Sequence, residues 1–229
     1  TVSFDSDGDV DGYHLLINDS TISSINTESF ATDSWETISK AVKAGKTENY
    51  HVGNTKEVYM GESLGTHTVR IANMSTPEDC EDSNFSQTAC GFVVEFVDII
   101  AIHKINDTYK NLGGWEASTI REYVNNDIYN SLPEDLKKVI IDTKVISSRG
   151  KIDLNLNRTD ENWETTDKLY LLSTKEIYGV AHAGDKVDME TRQLDYYNGV
   201  TIDNYEGAIK EKANIATWWW LRSARSLDD

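Results

Sequence analysis

The chain has 229 residues, of which 39 are acidic and 22 are basic, so its formal net charge is −17. This charge repels phosphate backbones and anionic lipid, which excludes nucleic acid and membrane surfaces as expected partners. Hydrophobic residues make up 38% of the chain and there are only two prolines, as is typical of a folded domain with a full core. No apolar run approaches the length of about 18 residues that a membrane-spanning helix needs, so no membrane insertion is expected.

An acidic segment near the start of the chain matches part of a calcium-binding loop. Asp7, Asp9 and Asp11 alternate with other residues and are followed by Gly12, as in loops whose carboxylates converge on one cation. The twelfth position of such a loop supplies a bidentate glutamate, but here it is Asn18. Two interpretations remain open, a calcium site and a solvated acidic turn.

Cys80 and Cys90 are the only cysteines, and they bracket a short polar segment. They could be two free thiols or a disulfide. Neither has a neighbouring basic residue that would lower the pKa of a thiol, so a reactive thiolate is not expected. The close pair in an acidic chain favours a disulfide and an oxidising compartment.

A first helix is predicted between Asp33 and Gly45. The sequence D-S-W-E at its start has the pattern of a capping box, and a glycine at its end is a common helix terminator. Trp35, Ile38 and Ala41 recur at helical spacing and would bury one face.

The stretch from Gly113 to Ile140 carries the most consistent helical pattern. Its first half has Trp115, Ile120, Val124 and Ile128 at helical spacing after a Gly-Gly break. Its second half begins a new helix, because residues 131–134 read S-x-x-E with a proline in the first turn. The same S-x-x-E pattern at 173–176 predicts a short helix that ends at Gly179.

Several β-prone segments predict a sheet, and the two halves around the sequence GESLG should form a hairpin. The longest segment, 91–105, is almost continuously apolar and would be a central strand covered on both faces. The predicted strands are 13–17, 56–60, 66–74, 91–105, 144–147, 168–172 and 217–222, with a last helix at 205–213. The fold class is therefore α+β, a mostly antiparallel sheet with two or three short helices packed on it. It forms one domain over 33–229 after an acidic extension at 1–32.

Two long polar segments, 148–166 and 180–200, are candidate binding loops. They contain Arg158 and Trp163 in the first loop and Tyr196 and Tyr197 in the second. Aromatic rings among polar loop residues give contact area at low entropic cost. The alternative is that these rings form a small local core beneath the loops.

The sequence Trp218-Trp219-Trp220 near the C-terminus is a further candidate. On a strand, alternate residues share a face, so Trp218 and Trp220 would face one side. An exposed indole beside Arg222 would be a platform for a sugar ring or a peptide. The alternative is that at least two of the three indole rings pack in the core.

Arg121 has two possible roles. It could join Arg222 as a clamp for a ligand carboxylate, or it could form a structural ion pair with an acidic neighbour.

Several blocks together resemble DUF6273, a family of bacterial domains often attached to secreted or surface proteins. They read SWETISKAVKAGK, YHVGNTKEV, GGWEASTIREYVNNDIYNSLP, TDKLYLLSTKEIYG and WWWLRSARS. The resemblance implies a secreted or cell-surface location, and it assigns no catalytic residues. The last block is also similar, more weakly, to C-type-lectin-like folds of the formylglycine-generating-enzyme type. Family members usually continue in further strands beyond this block, so two interpretations are open, a chain truncated at its C-terminus and a sheet that is completed in another way.

These observations favour a non-catalytic extracellular module that binds a glycan or a protein through its long polar loops. One alternative is a hydrolase with paired carboxylates from among Glu95, Asp98 and Asp167, whose separation in a cleft would be diagnostic. Another is a structural module of a surface protein without a ligand of its own.

Overall fold

The computed structural model describes residues 25–108, 113–147, 163–180 and 191–223. The helices are α1 (Trp35–Ala44), α2 (Gly61–Leu64), α3 (Thr119–Tyr123), α4 (Tyr129–Ser131), α5 (Glu134–Lys137) and α6 (Thr174–Tyr178). The strands are β1 (Thr55–Tyr59), β2 (Thr66–Asn73), β3 (Val93–Phe96), β4 (Thr143–Ser147), β5 (Trp163–Asp167), β6 (Glu211–Lys212) and β7 (Ile215–Ala216). The protein is thus α+β with antiparallel sheets and a few short helices, as predicted. The strand predicted at 13–17 lies outside the described residues.

Three antiparallel sheets are present in the described part of the chain, in the orders β1-β2-β3, β4-β5 and β6-β7. β1 and β2 form the predicted hairpin, with Tyr59 opposite Thr66, and α2 supplies the connection. β2 then pairs with β3 in a register that places Val69 opposite Phe96. β2 is therefore the central strand of this sheet.

The prediction of a central strand over 91–105 is wrong, because only the first part of this apolar segment pairs with another strand. Only Val93–Phe96 forms a strand, and it pairs with β2 along one edge. The chain then turns toward β6, where the backbone N–H of Ile99 donates to the carbonyl of Glu211 at 2.9 Å. Ile102 is 80% exposed. The continuous apolar character of residues 91–105 therefore does not mean that this segment is buried on both faces.

Helix α1 forms where it was predicted, but its cap is one residue further along. Ser34 is the N-cap, and its side chain accepts a hydrogen bond from the backbone N–H of Thr37. Asp33 instead accepts a 2.6 Å hydrogen bond from the hydroxyl of Tyr50. Gly45 ends the helix with φ +66°, a conformation that glycine adopts without strain.

The helix predicted after Gly113 forms as two short α-helices joined by a π-helical turn. α3 continues through a π-helical turn, Val124–Ile128, into α4. Ile120 and Ile128 are buried, as is Trp115, which precedes the helix. Inside the π turn, the side chain of Asn125 accepts from the backbone N–H groups of Lys168 and Leu169. The turn therefore fixes the segment that follows β5.

The predicted capping box at 131–134 does not form. Ser131 is the last residue of α4, and its hydroxyl donates to the carbonyls of Asp127 and Ile128. Leu132 is extended (ψ 148°), as residues before proline usually are, and Pro133 precedes α5 without a side-chain cap. The box at 173–176 does form, with Ser173 and Glu176 bonding each other's backbone before α6.

The strand predicted at 144–147 is β4, and its partner was missed. Trp163–Asp167, assigned in the sequence to a polar loop, forms β5 opposite β4. Residues 168–172 are not a strand, although Leu172 is buried. The final helix predicted at 205–213 is wrong, since a single 3-10 turn, Glu206–Ala208, leads directly into the β6-β7 hairpin.

The hydrophobic core in the described residues forms three clusters. The largest packs α1 and the helices after Gly113 against β1 and β2, with edge-on contacts of Phe30 to Trp35 and Tyr50. The second joins β2 to α6 and to the C-terminal segments through Leu194, Tyr197 and Ala208. A third, smaller cluster surrounds Trp115. In the described ranges, no helix is long and apolar enough to cross a membrane.

Candidate ligand-binding surface

A buried carboxylate, Glu95 on β3, connects the central sheet to the C-terminal hairpin. It accepts hydrogen bonds from Arg70 Nε at 2.9 Å, from the hydroxyl of Tyr197 at 3.0 Å and from Lys210 Nζ at 3.0 Å. Arg70 also donates to the hydroxyl of Tyr197 at 3.1 Å. Charged groups this deep are stable only when they are paired and hydrogen-bonded. This cluster is called the Glu95 network below.

Burial sets the protonation states in the Glu95 network. It lowers the pKa of Lys210, and the Glu95 carboxylate offsets part of that effect. Burial also acts to lower the pKa of Arg70, but Glu95 together with Tyr197 and Tyr196 outweighs it and the pKa of Arg70 is raised. The pKa of Tyr197 is raised by burial and by Glu95, so its phenol stays protonated and donates.

Lys210 attaches the β6-β7 hairpin to this network. Its ammonium donates to the carbonyls of Phe96 and Val97 at 2.6 and 3.2 Å, and its own carbonyl accepts from the backbone N–H of Thr217 at 3.1 Å. Trp219 covers it, with the ring centre 5.1 Å from Nζ, and donates from its indole to the carbonyl of Ala208. The hairpin is therefore held from one face by buried charge and by an indole.

The other face of the hairpin is exposed. Ala213 (φ 52°) and Asn214 (φ 62°) form the turn, so the register pairs Lys212 with Ile215 and Glu211 with Ala216. Thr217 also bonds to Lys210 beyond the strand ends, and Ile209 and Trp218 are the next residues outward on the two sides of the hairpin. Trp218 is 99% exposed, and Ile209 is also exposed.

Trp220 extends this exposed region toward the segment after β3. Its side chain is 47% exposed, and its indole N–H donates to the carbonyl of His103 at 2.9 Å. The His103 ring stacks on Tyr123 with ring centres 4.1 Å apart, which ties it to α3. Ile209, Trp218 and Trp220 are together called the indole surface. Contiguous exposed aromatic and aliphatic groups on a fixed scaffold are typical of interaction sites.

Comparison with known proteins places the indole surface inside a recognised domain. Residues 95–229 match the family model described as domain of unknown function (DUF6273), which is more than half of the chain. The chain belongs to the DUF6273 family. The match includes Glu95, Lys210 and the three tryptophans, whereas the first two blocks of the sequence resemblance lie before it.

No curated protein and no solved structure matches this DUF6273 chain. The weaker resemblance to C-type-lectin-like folds of the formylglycine-generating-enzyme type is therefore not shown. The family match supports the assignment to DUF6273, and the observed antiparallel sheets support the α+β fold class.

The predicted loop tyrosines differ in exposure. Tyr197 is fully buried in the Glu95 network, as the alternative of a local core describes. Tyr196 is partly buried, and the guanidinium carbon of Arg70 lies 3.7 Å from the centre of its ring. The two rings meet edge to face at 5.2 Å. Both tyrosine rings therefore pack around the guanidinium of Arg70 in the Glu95 network.

The predicted arginines lie in structural ion pairs. Arg222 is 2% exposed and pairs with Glu176, so it does not form the platform edge expected beside the indoles. Arg121 Nε lies 2.8 Å from Asp167 Oδ1, which is the structural alternative to a ligand clamp. The backbone of Trp163 lies in β5, but its side chain is outside the described structure. Arg158 and the candidate calcium ligands Asp7, Asp9 and Asp11 also lie outside the described residues.

The tryptophan triplet is not arranged as the sequence suggested. Residues 217–221 have no strand assignment, so strict alternation does not apply. Trp219 alone packs against the second core cluster, whereas Trp218 and Trp220 are exposed. The core-packing alternative for at least two of the rings is therefore wrong. The hydrogen-bonded position of Trp219 over Lys210 leaves its neighbours outside.

The carboxylates considered for hydrolysis are each engaged elsewhere. Asp167 accepts from the Trp115 indole at 2.9 Å, from Thr165 Oγ1 at 2.7 Å and from Arg121. Asp98 accepts from the backbone N–H of Glu211 at 3.3 Å. With Glu95 in its own network, all three serve as structural acceptors.

A cavity separate from the indole surface was not predicted from the sequence. It has a volume of about 440 Å³ and lies between the disulfide segment and the end of α6, with Asp79, Asp82 and Lys175 on its walls. The Cys80–Cys90 disulfide is present, as predicted, at the base of that segment. Arg192 also lines the cavity, but its guanidinium is bound to Asp195, Asn73 and the carbonyl of Ala89. Its charge is therefore already matched within the protein.

Proposed function

We propose that this DUF6273 protein is an extracellular, non-catalytic recognition module that binds a protein partner through its indole surface. The observation that carries the proposal is the complete exposure of Trp218 on a hairpin that is otherwise anchored by buried charge. A rigid display of this kind lowers the entropic cost of binding, because the anchor is already in place.

The energetics of an indole support a role for Trp218 as a binding anchor. Burying a tryptophan removes roughly 200 Å² from water, which corresponds to about 5 kcal/mol of gross hydrophobic free energy. Part of this is lost to ordering on association. The remainder is still enough for a residue that dominates an interface.

The composition of the indole surface favours a protein ligand. It combines two indoles with the aliphatic side chain of Ile209, and Ile215 at the hairpin tip is exposed as well. Aromatic anchors beside aliphatic side chains are typical of the core of a protein interface. A sugar ring stacked on Trp218 is the alternative ligand, and a glycan array tests it.

The location and the non-catalytic role rest on other observations. The disulfide between Cys80 and Cys90 supports an oxidising, extracellular compartment. The engagement of Glu95 and Asp167 in ion pairs supports recognition over carboxylate-based hydrolysis.

Selection of a random peptide library displayed on phage tests the proposal, because it does not require the natural ligand to be identified first. The wild-type protein is the target, and the Trp218→Ala variant is used for counter-selection. Tyr59→Ala is the matched control, because Tyr59 is an exposed aromatic on β1, the other outer strand of the β1-β2-β3 sheet.

We expect peptides that bind the wild type and Y59A but bind W218A at least tenfold more weakly. A library that yields no binder, or binders that W218A retains, would reject the indole surface as a protein-binding site. A glycan array run in parallel decides the alternative. Binding of a glycan that depends on Trp218, without any peptide, would replace the protein partner with a carbohydrate.

A further inference from the structure

We propose that the partner binds as an additional β-strand along the outer edge of β7 and that the strand it contributes is basic. This inference rests on the proposed function and specifies its binding mode and ligand. It follows from the hydrogen-bonding phase of the β6-β7 hairpin, which is the alternation of residue pairs that exchange backbone hydrogen bonds with pairs that do not. It also follows from the charges beside the hairpin.

The hydrogen-bonding phase determines which backbone groups of the hairpin point outward. In an antiparallel pair, residues that exchange backbone hydrogen bonds alternate with residues that do not. Thr217 donates to Lys210, so the next pair, Glu211 and Ala216, points its backbone groups away from the partner strand. On the β6 side this is observed directly, because the carbonyl of Glu211 accepts from Ile99.

The same phase gives β7 an open edge. The N–H and C=O of Ala216 point away from β6, and Trp218 follows two residues further along the chain. In the described part of the chain, no backbone group is bonded to either residue on that side. Residues 215–218 read I-A-T-W and contain no proline or charge, the usual devices that block an edge. The edge is therefore a template for an added strand.

Side chains around this edge provide a binding site for the added strand. Trp218 lies on the edge itself and is fully exposed, and Ile215 is exposed near the turn on the opposite face. Main-chain hydrogen bonds to Ala216 and Trp218 would supply affinity, and packing on the indole would supply specificity.

The charge beside the edge selects a basic partner. Glu211 is exposed, lies opposite Ala216 in the pairing register, and has Asp98 bonded to its backbone N–H. The whole chain carries a net charge of −17. This charge opposes pairing of the edge with a second copy, and it attracts lysine or arginine side chains, which also stack on indole rings.

Three synthetic peptide types test this mode. The first is a short peptide of alternating lysine and valine, and the second has glutamate in place of lysine. The third type is a pair of lysine-valine peptides that are N-methylated on every lysine or on every valine. Amide chemical shifts and hydrogen exchange of the ¹⁵N-labelled protein, together with isothermal titration, report the binding.

We expect the lysine-valine peptide to shift and protect the amides of Ala216 and Trp218. The glutamate peptide should bind at least tenfold more weakly. One N-methylated peptide should lose binding at least tenfold and the other should keep it, because a strand added along one edge uses only alternate N–H groups. Glu211→Lys should weaken binding, whereas Glu57→Lys, an exposed position on β1, should have a smaller effect.

Three outcomes would overturn the inference. The first is that the lysine-valine peptide does not bind, and the second is that both N-methylated peptides bind equally well. The third is that the Ala216 amide is protected in the free protein and that sedimentation shows dimers, which would assign the edge to a second copy. If the phage selection yields Trp218-dependent peptides that leave the Ala216 amide unchanged, the indole surface remains the binding site and only strand addition fails.

Discussion

The guanidinium of Arg222 donates to both carboxylate oxygens of Glu176, at 2.5 and 2.6 Å, and neither side chain has exposed surface. Glu176 also completes the capping box of α6 and accepts from the hydroxyl of Thr88, which lies within the disulfide segment. Burial alone would raise the pKa of Glu176, but Arg222 together with the hydrogen bonds from Thr88 and from the backbone of Ser173 lowers the pKa overall. This pair thus joins α6, the disulfide segment and the C-terminal residues.

Glu176→Gln should destabilise the protein by about 3 kcal/mol or more, because it removes the charged carboxylate whose two oxygens pair with the buried guanidinium of Arg222. Denaturant unfolding measures this loss. The double variant Glu176→Leu with Arg222→Met should recover part of it, since an apolar pair removes both charges. Glu36→Gln is the control, because its partner Lys40 lies in an exposed pair that contributes little. Equal effects of E176Q and E36Q would contradict this assignment.

Loss of the disulfide should also lower stability. Cys80 and Cys90 are 10 residues apart, and closing a loop of this length stabilises the folded state by about 3 kcal/mol. The segment inside the loop carries Thr88 and the buried Ala89, so its order matters to the core. Replacing both cysteines with serine should lower the midpoint of urea unfolding. A reducing agent should produce the same shift in the wild type and none in the variant.

Acid should remove a contribution from Asp195. Burial acts to raise its pKa, but hydrogen bonds from the backbone of Met74, from Ser75 and from Arg192 lower the pKa from 3.8 to about 2. Because the folded-state pKa lies below the unfolded value, this stabilisation is present above pH 3.8 and is lost as the pH falls toward about 2. Thermal unfolding should show that the difference between wild type and Asp195→Asn shrinks over this interval. A difference independent of pH would contradict the lowered pKa.

Neighbouring tryptophans should differ in their effect on stability. Trp218→Ala should change the free energy of unfolding by less than about 0.5 kcal/mol, because the side chain is fully exposed. Trp219→Ala should cost about 2 kcal/mol or more, since it removes the indole that packs on the second cluster and covers Lys210. Similar losses in both variants would show that Trp218 is also part of the core.

The sequence predicted elements whose signals are local. The terminating glycine of α1, the hairpin of β1 and β2, and the capping box of Ser173 and Glu176 each depend on residues close in the chain. The cysteine pair was likewise close enough to predict its disulfide. The signals that predict these elements therefore lie within a few residues of one another.

The sequence could not predict the features that depend on distant partners. Lys210 reads as an ordinary surface lysine until Glu95, 115 residues away, is placed beside it. β5 is polar on both faces, because its buried residues are Thr165 and Asp167, and it was therefore assigned to a loop although its pairing with β4 is regular. The tryptophan triplet suggested core packing, and only the position of Trp219 over Lys210 explains why Trp218 and Trp220 are exposed.

Isothermal titration of a selected peptide into the wild type, W218A and Y59A tests most directly whether the indole surface is the binding site. We expect the wild type and Y59A to bind with equal affinity and W218A to bind at least tenfold more weakly, with unchanged unfolding curves for all three proteins. If W218A binds as tightly as the wild type, the ligand is recognised elsewhere and the indole surface has no part in it.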